Sequence, residues 1–104
     1  KGLNFITSII FLLTLSACKK DPPAPLPLAD FFVENSGCTA SCKLYFYDQS
    51  DNAVKWNWKF GNGVTSNNAN DSTTYHISGT YEVWLYVWNK DDVIDSVRKN
   101  ITIH

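Results

Sequence analysis

The stretch Val54-Lys55-Trp56-Asn57-Trp58-Lys59-Phe60-Gly61-Asn62-Gly63 decides the fold. Polar and aromatic residues alternate from Lys55 to Phe60, the period of a β-strand with one face in a core. Trp56, Trp58 and Phe60 fall on that face, and Lys55, Asn57 and Lys59 on the other. Gly61-Asn62-Gly63 then stops the strand, because two glycines suit a tight turn that needs positive φ.

The same reading extends outward in both directions. Tyr81, Val83, Leu85 and Val87 alternate within Thr80–Asn89, and Leu44 and Phe46 within Cys42–Asp48. Further strands are expected at Ala29–Glu34, Val54–Phe60, Ser72–His76 and Val93–Ile103, separated by turn formers such as Ser50-Asp51-Asn52, Ser78-Gly79 and Lys90-Asp91-Asp92. From Ala29 onward there is no proline and no helical periodicity. These features predict an all-β, two-sheet sandwich of about seven strands. Composition agrees: 14% of the 104 residues are aromatic and 18% charged, which is β-rich and suits an extracytoplasmic chain. A net charge of −1 supplies no field to gather nucleic acid, so no nucleic-acid partner is expected.

Two segments carry a family resemblance. Trp58-Lys59-Phe60-Gly61-Asn62-Gly63 resembles the W-D-F-G-D-G signature of PKD domains, and Gly79-Thr80-Tyr81-Glu82-Val83-Trp84-Leu85-Tyr86-Val87 resembles their G-x-Y-x-V-x-L-x-V strand. The likeness covers Ala29 to His104. It implies an Ig-like sandwich, used in that family as an accessory module on surface proteins and secreted hydrolases. Lys59 and Asn62 depart from the pattern, standing where the family usually has Asp, and the loss of two acids makes a cation site at this turn unexpected.

The N-terminal residues read as an address. Phe5 to Leu15 is an eleven-residue apolar stretch without charge, too short for a bilayer core of about 30 Å and suited to the h-region of a secretory signal. Lys1 is not Met, and further residues of a basic n-region are expected ahead of it. Leu15-Ser16-Ala17-Cys18 resembles the lipobox of bacterial lipoproteins, which implies a signal peptide over 1–17 and a lipid-bearing Cys18 that anchors the chain to a membrane. Lys19 occupies the position where Asp would imply inner-membrane retention, so the outer membrane or cell surface is the expected location. Pro22, Pro23, Pro25 and Pro27 then predict an extended Pro-rich tether over 18–28, about 30 Å long between Lys19 and Leu28.

Little in the chain suggests chemistry. Cys38 and Cys42 are close in sequence, and in an oxidising compartment they are expected to form a disulfide. His76 and His104 are the only histidines, and no nucleophile–base–acid set or paired carboxylates can be assembled around them. Neither a catalytic residue nor a cofactor is assigned, and the chain is not expected to be an enzyme. Asp91, Asp92 and Asp95 are too few for a 6–8-oxygen calcium site and read as a solvated turn; no metal site is assigned. The unusual feature is the second face of Thr80–Asn89, where Glu82, Trp84, Tyr86 and Trp88 should point outward. Three rings there form a stripe of about 14 Å, the kind of surface that binds a glycan or a surface protein. The alternative is cover by lysine stems such as Lys55 and Lys59, which would make the rings part of the packing. The functional expectation is thus a non-catalytic surface binding module, against a passive spacer subunit of an envelope assembly or the targeting fragment of a secreted hydrolase.

Overall fold

The computed structural model describes residues 21–104, which form two antiparallel sheets and, among the described residues, no helix. The strands are β1 (Phe31–Glu34), β2 (Cys42–Asp48), β3 (Lys55–Lys59), β4 (Thr65–Ser66), β5 (Asp71–Tyr75), β6 (Gly79–Trp88) and β7 (Ile94–Ile103). One sheet has the order β1-β2-β5 and the other β4-β3-β6-β7. The expected all-β sandwich is therefore present. The proposed signal peptide and Cys18 lie outside the described residues.

The alternating positions build the core. Phe31, Leu44, Phe46, Trp58, Phe60, Tyr75, Val83, Leu85, Val87 and Ile103 are almost wholly buried. Four rings join the sheets: Phe31 meets Trp58 edge-on at 5.0 Å, Phe46 lies 4.8 Å from Phe60, and Trp58 stacks on Phe60 at 5.6 Å. Burying each such side chain contributes about 1.5–3 kcal/mol, so this cluster is a large share of what stabilises a chain so small. The Trp58 indole N–H donates to the carbonyl of Asn68 at 2.8 Å, so its one polar atom is satisfied. The thiols are joined as expected: Cys38 and Cys42 form a disulfide with their Cα atoms 6.2 Å apart.

The turn after β3 is held from both sheets. The buried Tyr75 hydroxyl donates to the Phe60 carbonyl at 2.7 Å. The Asn62 amide donates to Thr73 Oγ1 and to the Thr74 carbonyl, and its oxygen accepts from the Val64 N–H. Asn suits the position where the family has Asp because its amide N–H can donate to the Thr74 carbonyl, which a carboxylate could not do. Gly61 has φ +83°, and a Cβ there would lie 2.7 Å from the Glu82 carbonyl of β6. No other residue fits that approach.

Three expectations need correction. The first strand begins at Phe31, not Ala29, because Ala29 and Asp30 donate their N–H groups to Asp95 and Ser50 side chains and not to a neighbouring strand. The two-residue β4, paired to Trp58 and Lys59, was not expected; it is too short to show alternation. Most important, the tether is not free over its expected length. From Ala24 onward it lies along the sandwich: the Ala24 N–H donates to Asp91, the Asn89 amide to the Pro25 carbonyl and the Asn52 amide to the Leu26 carbonyl, and Leu28 bridges Asp51. Asp91 and Asp92 remain exposed, in keeping with a solvated turn, but Asp91 and Asp95 also accept backbone N–H groups of this segment, and Asp92 pairs with Lys55 at 2.8 Å.

Candidate functional site

The outward face of the four-stranded sheet is organised by register. Along β6 the outward side chains are Glu82, Trp84, Tyr86 and Trp88. Trp84 lies opposite Lys59 of β3 and Arg98 of β7; Tyr86 lies opposite Asn57 and Ser96; Trp88 lies opposite Lys55 and Ile94. All share one face because side chains directly opposite one another in a sheet point the same way. Trp84 and Tyr86 are parallel, 11° apart in plane with centroids at 5.7 Å.

The three rings are half-buried, less open than the alternation implied. Cations account for part of the cover. Lys59 Nζ sits 5.7 Å from the Tyr86 ring and Lys55 Nζ 5.8 Å from Trp88, the arrangement named above as the alternative to a free stripe; Arg98 lies 5.8 Å from Trp84. Arg98 was not anticipated, because the faces of the last strand were not assigned from sequence. These distances are near the outer limit for a cation–π contact, worth about 0.5–1 kcal/mol at an exposed site. Long exposed stems hold them, so the cover is displaceable.

Beyond Trp88 the stripe runs into a shallow depression of about 390 Å³ lined by Val54, Lys55, Trp56, Asn67 and Trp88. The Trp56 indole N–H is buried there without a partner.

A second aromatic face was missed. On the three-stranded sheet Phe32, Tyr45 and Tyr47 point away from the core, exposed by 51%, 41% and 36%. Phe32 stacks on Tyr47 at 6.4 Å, and the Tyr47 hydroxyl donates to Glu34 at 2.8 Å, a bond that raises the Tyr47 pKa above its ordinary value. The signal was present, since Tyr45 and Tyr47 interleave with Leu44 and Phe46.

The remaining candidates are dispersed. His76 contacts Ser41 Oγ at 3.1 Å, and the His104 backbone N–H donates to the Cys38 carbonyl. Among the described residues no three His, Cys, Asp or Glu side chains converge as metal ligands would. Burial holds the Tyr75 hydroxyl well above the usual tyrosine range, which suits a neutral core donor.

Comparison with known proteins places this geometry. A family model described as PKD domain matches residues 23–104. The PKD1 domain of the Vibrio cholerae metalloprotease PrtV superposes with a TM-score of 0.66 at 26% identity, covering 76% of this chain and 98% of that one. The PKD1 domain of Vibrio anguillarum Epp gives 0.67 at 22% identity over 79% and 98%. A structure described for the promiscuous specificity of carbohydrate-binding modules of the β-sandwich superfamily gives 0.70 at 21% identity, over 79% of this chain and 36% of that one. No curated protein matches the chain.

Proposed function

The chain belongs to the PKD-domain family, and from that premise we propose that it is a non-catalytic module that binds glycan through Trp84, Tyr86 and Trp88. The observation that carries this reading is the parallel Trp84–Tyr86 pair on an outward strand face, with Trp88 next in line. Sugar rings stack on such faces through their apolar C–H surface, and Asn57 and Ser96 beside Tyr86 offer hydrogen bonds to hydroxyls. The likeness to a carbohydrate-binding module is a likeness of fold and adds only that such a sandwich can carry this function.

The same proposal has the chain displayed from a lipid on Cys18 at the outer membrane or cell surface, with residues 1–17 removed. Metabolic labelling with radioactive palmitate should mark the protein, and Cys18→Ala should abolish the label. Persistence of the label in that variant would remove the anchor.

The binding test is a titration of the full chain in non-ionic detergent with arrayed oligosaccharides, read by tryptophan fluorescence. A saturable change that vanishes in Trp84→Ala and Trp88→Ala, with far-UV circular dichroism preserved, is the expected result. A flat response across the array would refute glycan binding. A second reading, contact with a protein of the envelope, is favoured by the exposure of Phe32, Tyr45 and Tyr47. It predicts that photo-crosslinkers at those positions capture one defined partner, while the same groups at Trp84 and Trp88 do not.

A further inference from the structure

Resting on the glycan reading above, we propose that the ligand of the Trp84–Tyr86–Trp88 face is an acidic glycan, with uronic-acid-type carboxylates on its pyranose rings. The face presents Lys55, Lys59 and Arg98 around the rings and a single carboxylate, Glu82, on a chain whose net charge is −1. Two of the cations are already partnered: Lys55 pairs with Asp92 at the rim at 2.8 Å, and Arg98 approaches Glu82 loosely at 3.6 Å. Lys59 has no ion pair or hydrogen bond among the described residues.

The register turns that excess charge into a pattern. Lys59 and Arg98 stand opposite Trp84 on the two neighbouring strands, the Lys59 ammonium leaning over Tyr86 and the Arg98 guanidinium over Trp84. Strands are about 4.8 Å apart, which leaves roughly 10 Å between the two backbones. A single sugar ring is narrower than that gap and fits over Trp84 between them. A carboxylate carried on the rim of that sugar then reaches the Lys59 ammonium or the Arg98 guanidinium, while its ring faces the indole. A neutral sugar in the same place leaves Lys59 without an ion pair and Arg98 with only its loose one to Glu82. The exchange is favourable because Lys59 and Arg98 give up only loose ring contacts at 5.7–5.8 Å, and Arg98 a long, exposed contact with Glu82, to form ion pairs. Lys59 is also the position where the family signature usually has Asp. The reversal of sign falls on the outward sheet face beside the stripe, where a ligand acid would be repelled by the usual residue.

The test compares three probes on the full chain in non-ionic detergent: hexagalacturonate, its fully methyl-esterified form, and poly-glutamate. In about 50 mM salt the acid should bind about tenfold tighter than the ester, as expected for one or two solvent-exposed ion pairs. The advantage should shrink in about 0.5 M salt. Lys59→Gln together with Arg98→Gln, both at exposed positions, should bring acid and ester to equal affinity, and a persisting advantage of the acid would overturn the role of these two cations. Equal binding of acid and ester would overturn the acidic preference and leave glycan binding standing. Absence of binding by either sugar overturns both. Poly-glutamate binding as tightly as hexagalacturonate would overturn the proposal by reducing the face to a charge patch without sugar recognition.

Discussion

Replacing Gly61 by Ala should be far more damaging than replacing Gly63, although both stand in the same turn. Both have positive φ, +83° and +91°, where an L-residue costs about 1–2 kcal/mol. Against this, removing a glycine from the unfolded chain returns about 0.4–1 kcal/mol. At Gly63 nothing lies within 4 Å of a new Cβ, so Gly63→Ala should cost about 1 kcal/mol net. At Gly61 the new Cβ meets the Glu82 carbonyl oxygen at 2.7 Å and the Tyr81 Cβ at 3.4 Å. Both are fixed by the β6 ladder, so the turn or the strand must move, adding about 2 kcal/mol for a total of about 3 kcal/mol. With a urea m-value of about 1 kcal/mol/M, midpoints should fall by about 3 M for Gly61→Ala and about 1 M for Gly63→Ala. Urea unfolding followed by tryptophan fluorescence reads both. Equal midpoints for the two variants would refute the close approach of this turn to β6. Because Glu82 precedes Trp84 on the same strand, a folded Gly61→Ala variant should also show a changed near-UV spectrum.

Three further outcomes follow from buried polar groups and acids. Trp56→Phe should leave stability within about 0.5 kcal/mol of the parent, or raise it slightly, because the indole N–H that it removes is buried without a partner; a loss above about 2 kcal/mol in urea unfolding would mean that this N–H is satisfied in solution. Asn89→Ala should cost about 2–3 kcal/mol and release the segment from Ala24 to Leu28, since the buried Asn89 amide accepts from Asp91 and Val93 and donates to Pro25; unchanged proteolysis at Leu26 and Leu28 would contradict the docking. Lys99 and the Phe31 N–H hold the Asp30 carboxyl below its ordinary value of 3.8, and Ser66, the Ser72 N–H and Asn68 do the same for Asp71. The folded chain therefore binds these protons less readily than the unfolded one, so the stabilisation is complete above about pH 5 and is lost as pH falls below 4 through the folded values. The slope of urea midpoint against pH between 5 and 2 should flatten in Asp30→Asn/Asp71→Asn, and an unaltered slope would disprove the assignment.

Much of this molecule was legible because its chemistry is local. Alternation in Lys55–Phe60 and Tyr81–Val87 marks a core that the structure fills with Trp58, Phe60, Val83, Leu85 and Val87, while Trp56 and Tyr81, at the ends of those runs, pack against it only partly buried. What escaped was set by contacts distant in sequence. Pro22 to Pro27 read as a spacer, and nothing nearby indicates that Asn52, Asn89 and Asp91, up to 67 residues away, hold that segment down. Arg98 joined the candidate site only when β7 was aligned against β6, a register that no local pattern in Val93–Ile103 specifies. The Phe32, Tyr45 and Tyr47 face is partly legible, since Tyr45 and Tyr47 are the complement of Leu44 and Phe46, but Phe32 joins it only through the pairing of β1 with β2.

The docked segment also changes what the proposed anchor would do. With residues from Ala24 onward fixed to the sandwich, only about six residues separate Cys18 from the domain, a reach of at most roughly 20 Å and not the 30 Å of a free tether. Ala24 is held by Asp91, in the turn that directly follows Trp88 and Asn89. The stripe therefore starts at the end of the sandwich where the chain arrives and runs away from it through Tyr86 to Trp84. An anchored domain would carry Trp88 nearest the membrane and Trp84, with Lys59 and Arg98 on either side, farthest out. The end of the face with the unpaired cation is thus the end presented to material arriving from outside. A short, pegged connection would also restrict tumbling at the surface, lowering the orientational cost of engaging a long polymer along the β6 axis.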